Sequence, residues 1–101
     1  MTLPIFTSEK FRQVLGSFPT GVTIVTTKDG KENRGLTVNS FCSVSLNPPL
    51  VLIGIEKEHK THKLVKNSGV FAVNILREDQ KELAERFSKI NRRRERFKDL
   101  S

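Results

Sequence analysis

The hydrophobic and polar positions cut this chain into short, sharply bounded segments. Phe11, Val14, Leu15 and Phe18 recur three and four residues apart, one stripe of a helix, behind a Thr7 or Ser8 that can cap it. Gly16 weakens the end of that helix, and Pro19, which has no amide proton, stops it. The period then changes. Residues 21–27 interleave valine and isoleucine with threonine, a β-branched run that predicts a strand, and Lys28, Asp29 and Gly30 break it with the Asp-Gly signal of a hairpin. Residues 34–38 begin the return strand and residues 44–46 a further short one. Asn47, Pro48 and Pro49 form a turn that cannot lie inside a sheet. Residues 50–55 are a near-continuous apolar run, expected to be a strand covered on both faces.

Residues 59–67 carry helix formers and end at Ser68 and Gly69, where glycine can take the left-handed closing conformation. Residues 70–76 read as a strand, and from Glu78 onward Leu83, Phe87 and Ile90 draw a thin apolar line along a helix. No linker, internal repeat or low-complexity tract interrupts the series. The order helix, several strands, helix, strand, helix predicts an α+β, mainly antiparallel domain around a small barrel, not a parallel doubly wound sheet. The glycine-rich turn of dinucleotide folds and the phosphate loop with its lysine are both missing.

Length and composition narrow the possibilities. The 101 residues make one domain, 1–101, and a hydrophobic content of 36% supports a single core but no deep enclosed pocket. A large ligand is therefore expected at a subunit interface. Residues 1–11 lack the basic start and apolar run of a signal peptide, and no apolar stretch is long enough to span a membrane. A single cysteine, Cys42, excludes an internal disulfide and the usual zinc spacings, which fits a reducing, cytoplasmic setting. With no base beside it in sequence, Cys42 is expected to be a small buried residue. The formal net charge of +7 favours phosphate-bearing partners. Much of it lies in a charged C-terminal tail, residues 89–101, whose Arg92, Arg93, Arg94 and Arg96 are expected on a solvated face.

The candidate chemistry lies where strand patterning fails. Between residues 34 and 51 the polar positions are Thr37, Asn39, Ser40, Ser43 and Ser45, all short and able to bond a ligand at close range. Polar groups this dense are costly in a buried strand without partners, so a flat, polar-edged ligand outranks a serine-rich edge strand or bulge. A second cluster, His59, Lys60 and Thr61, opens a predicted helix, where the dipole and free amides favour an anion. Asn74 interrupts an apolar strand and is expected to satisfy local backbone groups. Phe18 and Phe41 are expected in the core, with Phe41 bordering the ligand, and His62 exposed or capping a helix.

Several motifs in series resemble the flavin reductase-like, FMN-binding split-barrel family. They are Phe18, Pro19, Thr20, Gly21, Val22, Thr23; then Gly35, Leu36, Thr37, Val38, Asn39, Ser40, Phe41; then Ser43, Val44, Ser45, Leu46. Pro48, Pro49, Leu50, Val51 follow, with His59, Lys60, Thr61 and the run from Gly69 to Leu76. The resemblance implies an FMN-binding split β-barrel with flanking helices, incomplete at the C-terminus because the family's later strands and nicotinamide segment have no match here. It implies that Thr37, Val38, Asn39 and Ser40 hold the ring beside Phe41. Ser43 would reach the ribityl chain or phosphate, and His59, Lys60 and Thr61 would contact the phosphate.

The implied function is a flavin-binding oxidoreductase in which FMN or FAD accepts hydride from NADH or NADPH. Reduced flavin would then serve a monooxygenase or another electron acceptor, with the protein a homodimer and no residue acting as catalytic acid or base. A non-enzymatic flavin-binding or electron-transfer protein of the same fold is the alternative. A basic nucleic-acid-binding module ranks below both, because few aromatics are present to stack bases.

Overall fold

The computed structural model describes residues 5–30, 32–89, 96–98 and 100. Helix α1 (Ser8–Gly16) starts where Thr7 accepts a hydrogen bond from the Lys10 amide, 3.0 Å. No residue of α1 is buried, so the cap and not packing defines it. Strands β1 (Thr23–Asp29) and β2 (Glu32–Val38) form the expected hairpin, paired from Thr23 with Val38 to Asp29 with Glu32. Gly30 opens the turn at φ 63°, a left-handed value that a side chain would oppose. Strand β5 (Ala72–Ile75) pairs antiparallel with the other edge of β1, giving a sheet ordered β2-β1-β5.

A second, two-stranded antiparallel sheet joins β3 (Phe41–Ser45) to β4 (Leu50–Ile53), with a bulge at Val44 and the Asn47, Pro48, Pro49 turn between them. The chain passes from the first sheet to the second through two residues only, Asn39 and Ser40. The Gly54 amide donates to the Ser40 carbonyl at 3.0 Å, and the Ser40 hydroxyl donates to the Gly54 carbonyl at 2.8 Å. These two bonds carry the β3–β4 ladder back to the crossover.

Helices cover opposite faces of the three-stranded sheet. Residues paired across an antiparallel ladder share a face and neighbours along a strand alternate. Thr23, Val25 and Thr27 thus face one way with Leu36 and Val38; Ile24 and Thr26 face the other with Gly35 and Thr37. Helix α2 (Lys60–Ser68) lies on the first face, burying Thr61 and Leu64 and joining Ser68 to Thr27, hydroxyl to hydroxyl, at 2.9 Å. Gly69 closes it at φ 74°, as its sequence predicts. A 3-10 turn (Glu78–Gln80) leads into α3 (Lys81–Ser88), which lies on the second face with Phe87 1% exposed. The Asn74 amide donates to the Ile24 carbonyl at 2.8 Å, which satisfies backbone as expected. Ile90 and Arg92 to Arg94 lie outside the described residues.

Four expectations fail. Residues 50–55 are not covered on both faces: β4 stops at Ile53, and Leu50, Val51 and Leu52 are about half exposed because no layer among the described residues packs on the two-stranded sheet. Cys42 sits on that same sheet and is exposed. Phe18, just past the C-cap of α1, is 71% exposed. Arg96, placed in a solvated tail, is 6% exposed and donates to the Gly35 carbonyl at 2.9 Å.

Candidate functional site

A cleft of about 550 Å³ opens where the two sheets meet. Its walls are the loop that brings α1 into β1 (Phe18, Pro19, Thr20, Gly21) and the crossover and start of β3 (Asn39, Ser40, Phe41, Cys42). Leu52 of β4 and Ile75 of β5 close the sides. Each wall has a local cause. Pro19 and Gly21 keep the first loop from continuing either helix or strand. The crossover is kept short by ladders that resume at once on both sides of it, with the Thr23 hydroxyl donating to the Val38 carbonyl at 2.6 Å.

The cleft is lined by both apolar and short polar side chains. Phe18, Phe41, Leu52 and Ile75 supply the walls; Asn39, Ser40, Thr20 and Thr23 supply donors and acceptors. The donors differ in what they have left to offer. Among the described residues the Asn39 side chain makes no hydrogen bond, so its amide can both donate and accept. Ser40 has committed its proton to Gly54 and Thr23 its proton to Val38, leaving lone pairs only. Such a cleft suits a planar heteroaromatic ring with an apolar body and a polar edge.

Three of the nine residues singled out from sequence, Asn39, Ser40 and Phe41, line this cleft. Thr37 and Val38 lie just before it on β2, Thr37 turned toward α3. Ser43 lies on β3, exposed, two residues past Phe41. His59, Lys60 and Thr61 stand at the start of α2 and do not line the cleft. His59 is the N-cap, its Nδ1 accepting from the Thr61 amide at 3.1 Å, and the Thr61 side chain is buried. The other end of α2 is tied to β1, where the Ser68 and Thr27 hydroxyls lie 2.9 Å apart. Phe18, expected in the core, is the wall residue that patterning missed; the Pro-Thr-Gly run after it was the available signal.

These features define a mixed α/β domain of antiparallel sheets with a cleft at the joint between them. The chain belongs to the family described as "Flavin reductase like domain", whose family model matches residues 15–101. It is 45% identical over 85 residues to the FMN reductase (NADH) SmoA of Agrobacterium fabrum, covering 84% of this chain and 49% of the relative. With a flavin-dependent monooxygenase reductase subunit of Rhodococcus jostii, identity is 45% over 78 residues, 77% of this chain and 40% of the relative. Among solved structures, the NADH:FAD oxidoreductase of Streptomyces globisporus superimposes with a TM-score of 0.83 at 38% identity, covering 100% of this chain and 61% of that one. The chain spans from about a quarter to about half the length of the curated relatives it matches.

Proposed function

We propose that this chain is the flavin-binding part of an NAD(P)H-dependent flavin reductase. It would take FMN or FAD and accept hydride from NADH or NADPH. The fold would be a split barrel. The observation that carries this reading is the cleft itself, which brings Asn39, Ser40 and Phe41 opposite Phe18 to Gly21 in a chain of the flavin reductase-like family.

The residues present fit the cofactor. The uncommitted Asn39 amide and the crossover backbone face a ring edge that both donates and accepts, while Phe18, Phe41 and Leu52 offer apolar contact to its body. Ser43 would reach the ribityl chain, and Lys60 with the capped first turn of α2 would offer positive charge to a phosphate. Bound there, the flavin supplies the hydride chemistry that no side chain here can perform. The protein's own contribution is orientation: Thr37 and Val38 fix the strand, Asn39 meets the ring edge, and the apolar walls keep water from one face. No described side chain is needed as catalytic acid or base. By analogy with the named relatives, the reduced flavin would go to a monooxygenase or another electron acceptor. A homodimer with flavin at the interface, in the cytoplasm, completes the reading.

Titration of the purified chain with FMN and with FAD, followed by flavin fluorescence, tests it. Saturable binding of at least one flavin, with NADH or NADPH oxidised only when flavin is present, is the expected result. Failure to bind either flavin would overturn the proposal. Binding without oxidation would leave a flavin carrier in its place.

A further inference from the structure

Among the described residues Arg96 is the only ionisable side chain buried this deeply, at 6% exposure, and the cleft does not use it. Burying a guanidinium is costly unless its donors are matched. Here Nη1 donates to the Gly35 carbonyl at 2.9 Å and Nη2 to the Lys89 carbonyl at 3.2 Å, which joins β2 to the end of α3. The neighbouring turn is docked as well. Phe97 meets Phe87 edge to face, with centroids 5.2 Å apart, and Arg86 Nη1 donates to the Lys98 carbonyl at 3.0 Å. Gly35 admits this approach, because a Cβ there would lie 2.5 Å from Phe87 Cε2 and 3.2 Å from Phe97 Cζ. Two residues further on, Thr37 is bonded to Ala84, and then Val38 to Thr23. Three successive anchors thus hold β2 immediately before Asn39 and Ser40.

We propose that Arg96 is a positioning residue for the cofactor: by holding the Gly35 carbonyl it fixes the strand that delivers Asn39 and Ser40 to the cleft. Docking of the 96–98 turn and flavin binding are then coupled. The inference rests on the flavin reading above. Arginine suits the task because its planar fork reaches two carbonyls on different elements, whereas a lysine ammonium is a single point on a flexible stem. Coupling is reciprocal, so a turn that tightens flavin binding must itself be held more firmly when flavin is bound.

The test compares the full chain with Arg96→Lys and Phe97→Ala. FMN affinity is measured by titration, ring orientation by the circular dichroism of bound FMN, and stability by flavin-free melting. Arg96→Lys is expected to lose some stability and to lose about tenfold in FMN affinity, more than its melting temperature accounts for, with an altered flavin signal. Phe97→Ala, which spares both hydrogen bonds, is expected to lose stability more than affinity. In the parent chain, FMN is expected to slow hydrogen exchange at the amides of Gly35 and residues 96–98. Parental affinity and flavin signal in Arg96→Lys overturn the inference. So does affinity that merely follows melting temperature in both variants, or exchange there unchanged by FMN. A parent chain that binds no flavin removes the functional reading and this inference together; a parent that binds while the other results fail removes the inference alone.

Discussion

Asn39 and Ser40 are neighbours at the crossover, yet their side chains are differently committed. Ser40 spends its proton on the Gly54 carbonyl, whereas Asn39 makes no side-chain hydrogen bond among the described residues. Asn39→Ala is therefore expected to weaken flavin binding with little change in stability. A hydrogen bond to a neutral group contributes roughly 0.5–1.5 kcal/mol, a loss of about two- to tenfold in affinity. Titration beside a melting curve checks it; unchanged affinity in the folded variant would remove Asn39 from the site. The density of short polar side chains between residues 37 and 45 made this crossover legible in the sequence. Which hydroxyls were already engaged was not, because Ala84 and Gly54 are brought to Thr37 and Ser40 only by the fold. Phe18 and Cys42 were misjudged for a related reason. Apolar character predicts burial, but what covers a side chain is decided by distant elements.

At the scale of elements, the local signals served well. The hairpin at Gly30, the N-cap at Thr7 and the glycine closure of α2 each follow from one or two residues whose conformational preferences act alone. The bounds of β3 and the exposure of β4 did not follow, since a bulge at Val44 and a missing covering layer are set by pairing across the sheet. Helix α2 carries its own prediction. Its capped first turn carries Lys60, to which the proposal assigns the phosphate. Lys60→Glu is expected to weaken FMN binding far more than riboflavin binding, because only FMN carries that group. A charge-assisted bond contributes on the order of 1.5–3 kcal/mol, enough to separate the two ligands in parallel titrations. Equal losses for both would place the phosphate elsewhere, with Ser43 the nearest alternative.

The whole molecule is open. Its accessible surface is 8522 Å², against about 5,800 Å² expected of a compact protein of 11.5 kDa. Leu46 is 91% exposed and Leu50, Val51 and Leu52 stand half exposed beside it, so much of the excess is apolar. A standard interface covers about 800 Å² on each partner, well within this excess. The proposed homodimer is accordingly expected in light-scattering measurements of mass, near twice the 11.5 kDa of the chain. A monomer at all working concentrations would end that part of the proposal.

The two-residue joint between the sheets has a consequence of its own. Asn39 and Ser40 are at once the crossover and part of the lining of the cleft. A ligand that bonds both residues would therefore also bear on the angle between the two sheets.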